Sequence, residues 1–518
     1  MQQLGGLDAA FLYMETPQTP MHVAGLTLYD LTDAQKGRFH EAFRDFFKGR
    51  VHLIPVFGKR LAKTVLELDH PGWVDAGELD LDYHIRGATL PAPGTPEQLD
   101  AWVAAEHAKP LDRSRPMWQF TVIEGLESGQ GALYSKVHHA AIDGGAGMVI
   151  TSALYDLSER PRKVDIPVAP EPPRKPTIAE RSILGLHDLA ANTLRQQLKL
   201  METVPTVMGQ ALEGMAELVG GDVEAAGKRL ARLSKNVVAP RTPFNVTMGR
   251  GRSYASRTLA LAKAKAVTKS PAAAAVGAKM NDVVMAVCGG ALRRYLAEHD
   301  ALPSEPLIAF VPVSLRQAGD TTLNNQVLSM NCPIGTNIED PLERLARITK
   351  DAGSRKEVVA AAKETASSDY TLLGAPMLLP GLMQLFGRMR MADVVPQVVN
   401  LCISNTMGPP FPLYCDGAQV TNLYPVSIAT HGVGLNITVQ SYMDNLDFGI
   451  TCGAKAVPDP ERIAALLEEA LDELHAAATK DEVEATIEPK AKTQPKAKAK
   501  PRAKAKATAK RRTAATKA

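Results

Sequence analysis

Cysteine is scarce in this 518-residue chain: Cys288, Cys332, Cys402, Cys415 and Cys452 all fall in the second half, with no paired spacing. An odd, scattered set argues against a disulfide framework and suits a reducing cytoplasm. No Cys-x-x-Cys or His-Glu-x-x-His string supplies a metal site, so no metal and no resident cofactor are expected. No Gly-x-Ser-x-Gly elbow occurs, which speaks against a serine acyl-enzyme. No apolar run reaches the length of a bilayer span, and Met1–Gly6 lacks the basic-then-apolar pattern of a signal peptide. Aromatic residues make up only 5% of the chain, and none interleaves the lysines of the C-terminal end. That end therefore carries no device for reading nucleic-acid bases.

Against these absences stands one dense stretch, Val137-His138-His139-Ala140-Ala141-Ile142-Asp143-Gly144-Gly145. Before it, Ala132–Val137 alternates apolar and polar residues, as a half-buried strand does. After it, Gly144 to Leu157 reads as a helix, with Ile150, Ala153, Leu154 and Leu157 on one face. Two imidazoles thus sit where a strand runs out. An imidazole there can act as a general base near neutral pH. Asp143 can fix the turn or an imidazole tautomer, and the glycines permit a close backbone approach. On the residues alone, a metal half-site or two satisfied polar side chains remain open.

The net charge of +3 conceals an asymmetry. Residues 489–518 hold twelve Lys or Arg and no acid, leaving 47 basic against 56 acidic residues in 1–488. The tail alternates Ala and Lys without an apolar stripe and is expected to be disordered. It would attract any polyanion, anionic lipid or, non-specifically, nucleic acid. Six prolines between Pro161 and Pro176 mark an extended linker, followed by three helical stretches up to Leu233. Thr32–Lys48, Thr95–Lys109, Lys279–Glu298 and Pro458–Ala478 read as helices. Trp118–Glu124 and Gly131–His138 read as one antiparallel hairpin. Thr371–Met391 is the most apolar stretch, broken by Gly374, Pro376, Pro380 and Gly381 and closed by Arg388 and Arg390. It is too interrupted to span a bilayer, and could line an apolar tunnel, meet a membrane surface or be buried.

The string HHxxxDG resembles the active-site motif of acyltransferases with the chloramphenicol acetyltransferase fold, condensation domains included. The flanking strings "LDAAFLYMET…PMHVAGL", Pro110–Trp118, Phe244-Asn245 with Gly249–Arg252, Asn281-Asp282, Pro312–Arg316 and Ser404–Pro409 narrow the resemblance. Together, over residues 4–478, they resemble the wax ester synthase/diacylglycerol acyltransferase family. The resemblance implies an α/β (α+β) fold of two similar lobes with mixed sheets flanked by helices, and a tunnel between them. The lobes are expected at 1–160 and 241–480, joined by a linker and helical connector at 161–240, with the tail at 481–518.

It further implies transfer of an acyl group from acyl-CoA, as substrate, to a diacylglycerol or long-chain fatty alcohol. His139 would be the general base, His138 would shape the site, and Gly144 would keep the turn open. Asp143 would make a structural ion pair, for which Arg316 is the candidate. Val398–Asn405 would be the crossover strand, and a tryptophan would pack beneath the active-site strand. Asn281 suits a helix N-cap and Asp282 the positive helix terminus, while the resemblance turns both toward the reaction chamber. His22 is tempting but better suited to strand packing, and the arginines of 249–252 could seat coenzyme A phosphates. The expected setting is cytoplasmic, with peripheral attachment to a membrane or lipid droplet through the tail. Rival readings are a same-fold enzyme with another hydroxyl or amine acceptor, a non-catalytic lipid-droplet protein, and a nucleic-acid-associated protein.

Overall fold

A computed structural model describes residues 2–62, 70–142, 146–165, 238–314, 327–363 and 375–487. The expected helical connector, Asp143, Gly144, Arg316 and the basic tail lie outside the described residues. The first half runs β1 (Gln2–Gln3), α1 (Gly6–Met14), β2 (His22–Asp30), α2 (Phe39–Lys48), β3 (Lys59–Ala62) and β4 (Gly72–Asp75). There follow α3 (Leu81–His84), β5 (Ile85–Thr89), α4 (Pro96–His107), β6 (Trp118–Glu124), β7 (Gly131–His138) and α5 (Ala146–Leu154). The second half opens with β8 (Arg252–Ala260), α6 (Leu261–Lys269), α7 (Pro271–Val276), α8 (Met280–Glu298), β9 (Ile308–Ser314) and β10 (Val327–Pro333). It closes with α9 (Pro341–Lys363), α10 (Ala375–Arg388), β11 (Leu401–Met407), β12 (Tyr414–Cys415), β13 (Ala418–Val426), β14 (Leu435–Tyr442), β15 (Asn445–Gly453) and α11 (Pro460–Ile487).

Two six-stranded sheets organise these elements, β12-β13-β2-β7-β6-β5 and β10-β9-β11-β14-β15-β8, beside a small sheet β1-β4-β3. Both large sheets mix parallel and antiparallel pairs: β5·β6 and β11·β14 are parallel, most others antiparallel. The first sheet is not confined to residues 1–160. Its β12 and β13 come from the second half, where β13 pairs antiparallel with β2. The strand expected to cross between lobes, Val398–Asn405, is instead β11, set inside the second sheet between β9 and β14.

Local chemistry fixes most element ends. In α4 the Thr95 hydroxyl accepts from the Gln98 amide (3.3 Å) and the Gln98 side chain accepts from the Thr95 amide (2.8 Å), with Pro96 at the first position. The helix expected from Thr32 starts only at Phe39. The Thr32 amide and hydroxyl both donate to the Gln35 side chain, at 3.1 and 2.9 Å, and Gly37 takes φ +71°. That local ring and left-handed residue hold a turn where periodicity alone reads helix. Phe39, Phe43 and Phe47 then align on the inner face of α2, against Phe57, Trp118 and Phe120.

The alternation in 132–137 predicts a half-buried strand, yet β7 is buried along nearly its whole length. Lys136, on what should be a wet face, is 1% exposed. Its ammonium donates to the Glu106 carbonyl (3.1 Å), the Glu106 carboxylate (3.2 Å) and the Lys109 carbonyl (3.2 Å). A buried charge with three partners is tolerable where a lone one is not. It also ties the end of α4 to the central strand.

The sheets are stitched where β13 passes β15. Asp447 is fully buried; one carboxylate oxygen accepts from the Leu423 amide (2.7 Å), the other from Thr258 (2.6 Å) and Asn422 (3.1 Å). Arg252, a candidate for coenzyme A phosphates, is mostly buried and its guanidinium is occupied by the carbonyls of Gln18 (2.6 Å), Gly249 (3.0 Å) and Gly251 (3.1 Å). It pins the α1–β2 loop to the second half instead. No helix among the described residues is long and apolar enough to cross a membrane.

Candidate active site

Strand β7 lies between β2 and β6, and its last residue, His138, stands opposite His22 of β2. Both histidine amides are held by neighbours: His138 donates to the Met117 carbonyl (2.9 Å) and His139 to the Met21 carbonyl (2.8 Å). The chain then tightens into a single 3-10 turn, His139–Ala141.

His138 is fully buried. Its Nδ1 accepts from the Ala140 amide at 3.0 Å, so the ring proton sits on Nε2. That nitrogen lies 3.5 Å from Glu15 Oε1. At this length the contact is electrostatic rather than a well-formed hydrogen bond. Glu15 also accepts from the Met21 amide (3.1 Å) and from Arg113 Nε (2.6 Å). Burial alone would raise the Glu15 carboxyl, but His138, Arg113 and the Met21 amide together hold it below its usual range. His138 is thus built into the wall.

His139 is only partly buried. Its ring stacks on Phe11 of α1, with centroids 3.8 Å apart and planes 15° off parallel. Nδ1 is sealed away without a hydrogen-bond partner, leaving the Nε2 edge for an incoming group. Burial drives its pKa down to about 4, and the neighbouring His138 pushes the same way, while its own peptide group opposes them. The ring is therefore neutral, with a free lone pair, throughout the physiological range.

His22 packs as strand interior: fully buried, its Nε2 donates to the His107 carbonyl at 2.9 Å. Asn281 is not the N-cap of α8, because Lys279 holds that place. Asp282, three residues on, reaches back to accept from the Lys279 amide at 2.8 Å, and its other oxygen is buried without a partner. Among the described residues no hydrogen bond or ion pair joins Asn281 or Asp282 to either histidine. Trp118 lies on β6 opposite Val137, stacked between Phe57 (4.5 Å) and His84 (4.3 Å), its indole N–H donating to the Phe57 carbonyl. Sequence patterns single out none of Glu15, Phe11 and Arg113, although Glu15 and Phe11 sit in the string "LDAAFLYMET". The described residues include no cluster of His, Cys, Asp and Glu able to hold a metal.

The structure thus places a neutral imidazole at the end of an interior strand in a two-sheet mixed α/β fold. Residues 4–284 match the model of the wax ester synthase/diacylglycerol acyltransferase catalytic domain, and residues 323–475 that of the WS/DGAT C-terminal domain. A putative diacylglycerol O-acyltransferase of Mycobacterium tuberculosis is 34% identical over 91% of this chain and 99% of its own. The O-acyltransferase WSD of Acinetobacter baylyi is 32% identical over 93% and 99%. The solved wax ester synthase/diacylglycerol acyltransferase of Marinobacter aquaeolei VT8 superposes with a TM-score of 0.64 at 29% identity, covering 92% of this chain and all of that one. The chain belongs to the wax ester synthase/diacylglycerol acyltransferase family.

Proposed function

We propose that this enzyme moves a long-chain acyl group from acyl-CoA to a diacylglycerol or a long-chain fatty alcohol, making triacylglycerol or wax ester, with His139 as general base. The observation that carries the reading is the His139 ring: stacked on Phe11, its amide fixed by the Met21 carbonyl, and kept neutral by burial. Cysteine offers no competing nucleophile, since burial raises all five thiols, Cys288, Cys332 and Cys402 to about 12 and Cys415 and Cys452 further still.

His139 Nε2 takes the proton of the acceptor hydroxyl as that oxygen attacks the thioester carbonyl carbon. The tetrahedral adduct collapses with cleavage of the carbon–sulfur bond, and the imidazolium returns its proton to the departing thiolate. No acyl-enzyme forms. General-base help of this kind contributes ~10²–10⁴-fold, and holding both substrates together supplies much of the remainder. His138 keeps the turn in shape through the Ala140 amide. By motif position we assign Asp143 a structural ion pair, with Arg316 as the candidate partner, Gly144 the open turn, and Asn281, next to Asp282, a donor to the developing oxyanion. The twelve basic residues of the tail add attraction to an anionic membrane or lipid-droplet surface at the cytoplasmic side.

The test is purified enzyme with palmitoyl-CoA and either hexadecanol or dipalmitoylglycerol, following released thiol and neutral lipid. His139→Ala is expected to lose ~10²–10⁴-fold in kcat with its unfolding midpoint kept. Near wild-type turnover in that variant removes His139 from the mechanism, and a wild type inert toward both acceptors removes the function.

A further inference from the structure

Helix α10 carries apolar side chains that none of the described residues covers. Leu382 and Leu385, with Met389 one residue past the helix end, are 59%, 50% and 61% exposed, at a spacing that follows one helical face. Val394 and Val398, past the helix end, are exposed as well. An apolar stripe this exposed is unusual on a protein that meets only water.

The opposite side of the helix is firmly seated. Gly387 passes so close to His431 that a Cβ there would lie 2.7 Å from its Nε2, and His431 Nδ1 accepts from the Met248 amide at 3.0 Å. Beyond the helix, Arg390 takes a left-handed φ of 52° and its Nε donates to Asp393 (2.6 Å). Asp393 also accepts from the Thr247 amide (2.6 Å), and Ala392 is fully buried. The stripe is therefore held outward by a fixed base. The helix also packs against α1, whose Phe11 stacks on His139.

We propose that the outer face of α10, through Leu382, Leu385 and Met389 with Arg388 at its rim, is the surface by which the enzyme docks on a lipid layer and loads its acceptor. The choice of occupant rests on the functional reading above, since the acceptor it names resides in such a layer. Charge favours the same occupant: Arg388 is exposed, and no acid lies within ion-pair distance of it among the described residues. Apolar residues that enter the acyl boundary while cations meet anionic headgroups make an interfacial helix. A second copy of the chain fits less well, because a two-fold contact centred on this face would bring Arg388 toward its own mate.

The experiment is flotation of the full chain with vesicles of equal parts phosphatidylcholine and phosphatidylglycerol, with and without dioleoylglycerol. The paired substitution Leu382→Asp and Leu385→Asp is expected to weaken binding by about tenfold or more, its unfolding midpoint kept, and to do so also in a chain ending at residue 488. A separate Leu385→Trp variant, which leaves the face apolar, is expected to add a blue-shifted emission component on vesicle addition. Retained binding in the double variant, or emission at position 385 that vesicles leave unchanged, overturns the proposal. A concentration-dependent dimer broken by the double variant, with vesicle binding intact, also overturns it and assigns the face to a second copy. Turnover of detergent-dispersed substrate by the same wild-type preparation keeps the two claims apart: activity without vesicle binding removes only the docking face, and inactivity there removes the functional reading.

Discussion

At the scale of single residues, Glu15 links the two histidines without touching the reacting edge. Its carboxylate meets the His138 ring and the Met21 amide, and the Met21 carbonyl in turn accepts the His139 amide. Removing it takes the neighbouring charge from a buried imidazole N–H and the acceptor from the Met21 amide, which is expected to shift the turn His139–Ala141. Misplacement of a base by about 1 Å can cost about a hundredfold in rate. Glu15→Ala is expected to lower kcat by about ten- to a hundredfold with KM nearly unchanged, whereas Glu15→Gln, which keeps an acceptor oxygen, recovers most of it. A loss confined to KM, or no recovery by glutamine, rejects this positioning role. The sequence makes the histidine pair conspicuous because its members are adjacent. It leaves Glu15 and Phe11 inconspicuous because each meets its histidine across more than a hundred residues of chain, and no local pattern records that meeting.

Elements with one dominant periodicity or a strong end signal are legible in the amino-acid pattern itself. β6, β7, α4 and α8 fall within a few residues of the spans their patterns predict, while the closing helix runs nine residues past the expected Ala478. Periodicity misreads Thr32–Arg38, where a side-chain ring outcompetes the helix, and passes over α9, whose charged outer face dilutes its apolar stripe. Partnership between strands is less visible still. The strand carrying the family's crossover signature stays in its own sheet, and β13 makes the crossing. Its crossing point admits no side chain: a Cβ on Gly449 of β15 would overlap the Pro425 carbonyl of β13. Since the obstacle is backbone and cannot swing aside, Gly449→Ala is expected to destabilise by about 1–3 kcal/mol or more, read as a lowered denaturant midpoint. A midpoint unchanged from wild type contradicts so close a passage.

Over the whole molecule, neutral buried imidazoles couple stability to pH. His107 accepts from the Tyr134 hydroxyl (2.8 Å) and donates to the Ser427 carbonyl (2.8 Å), joining the first half to the second. Burial drives its pKa down to about 3 from an ordinary 6.5. The folded state therefore refuses a proton that the unfolded chain takes up. Its contribution is complete above about pH 6.5 and is lost progressively as pH falls toward 3. Thermal unfolding midpoints should drop between pH 7 and pH 5 more steeply in the wild type than in His107→Gln, measured side by side. Parallel curves would mean that His107 does not titrate on unfolding.

The contribution of β13 to the sheet of the histidines has a bearing on synthesis. Ribosomes release the amino-terminal part first, and until residue 426 has emerged, strand His22–Asp30 presents an unpaired edge along its length. The histidine-bearing strand lies next to that edge, so its surroundings are finished only when about four fifths of the polypeptide has been made. A nascent or truncated half would be both inactive and adhesive, and co-produced halves should regain activity only by finding each other.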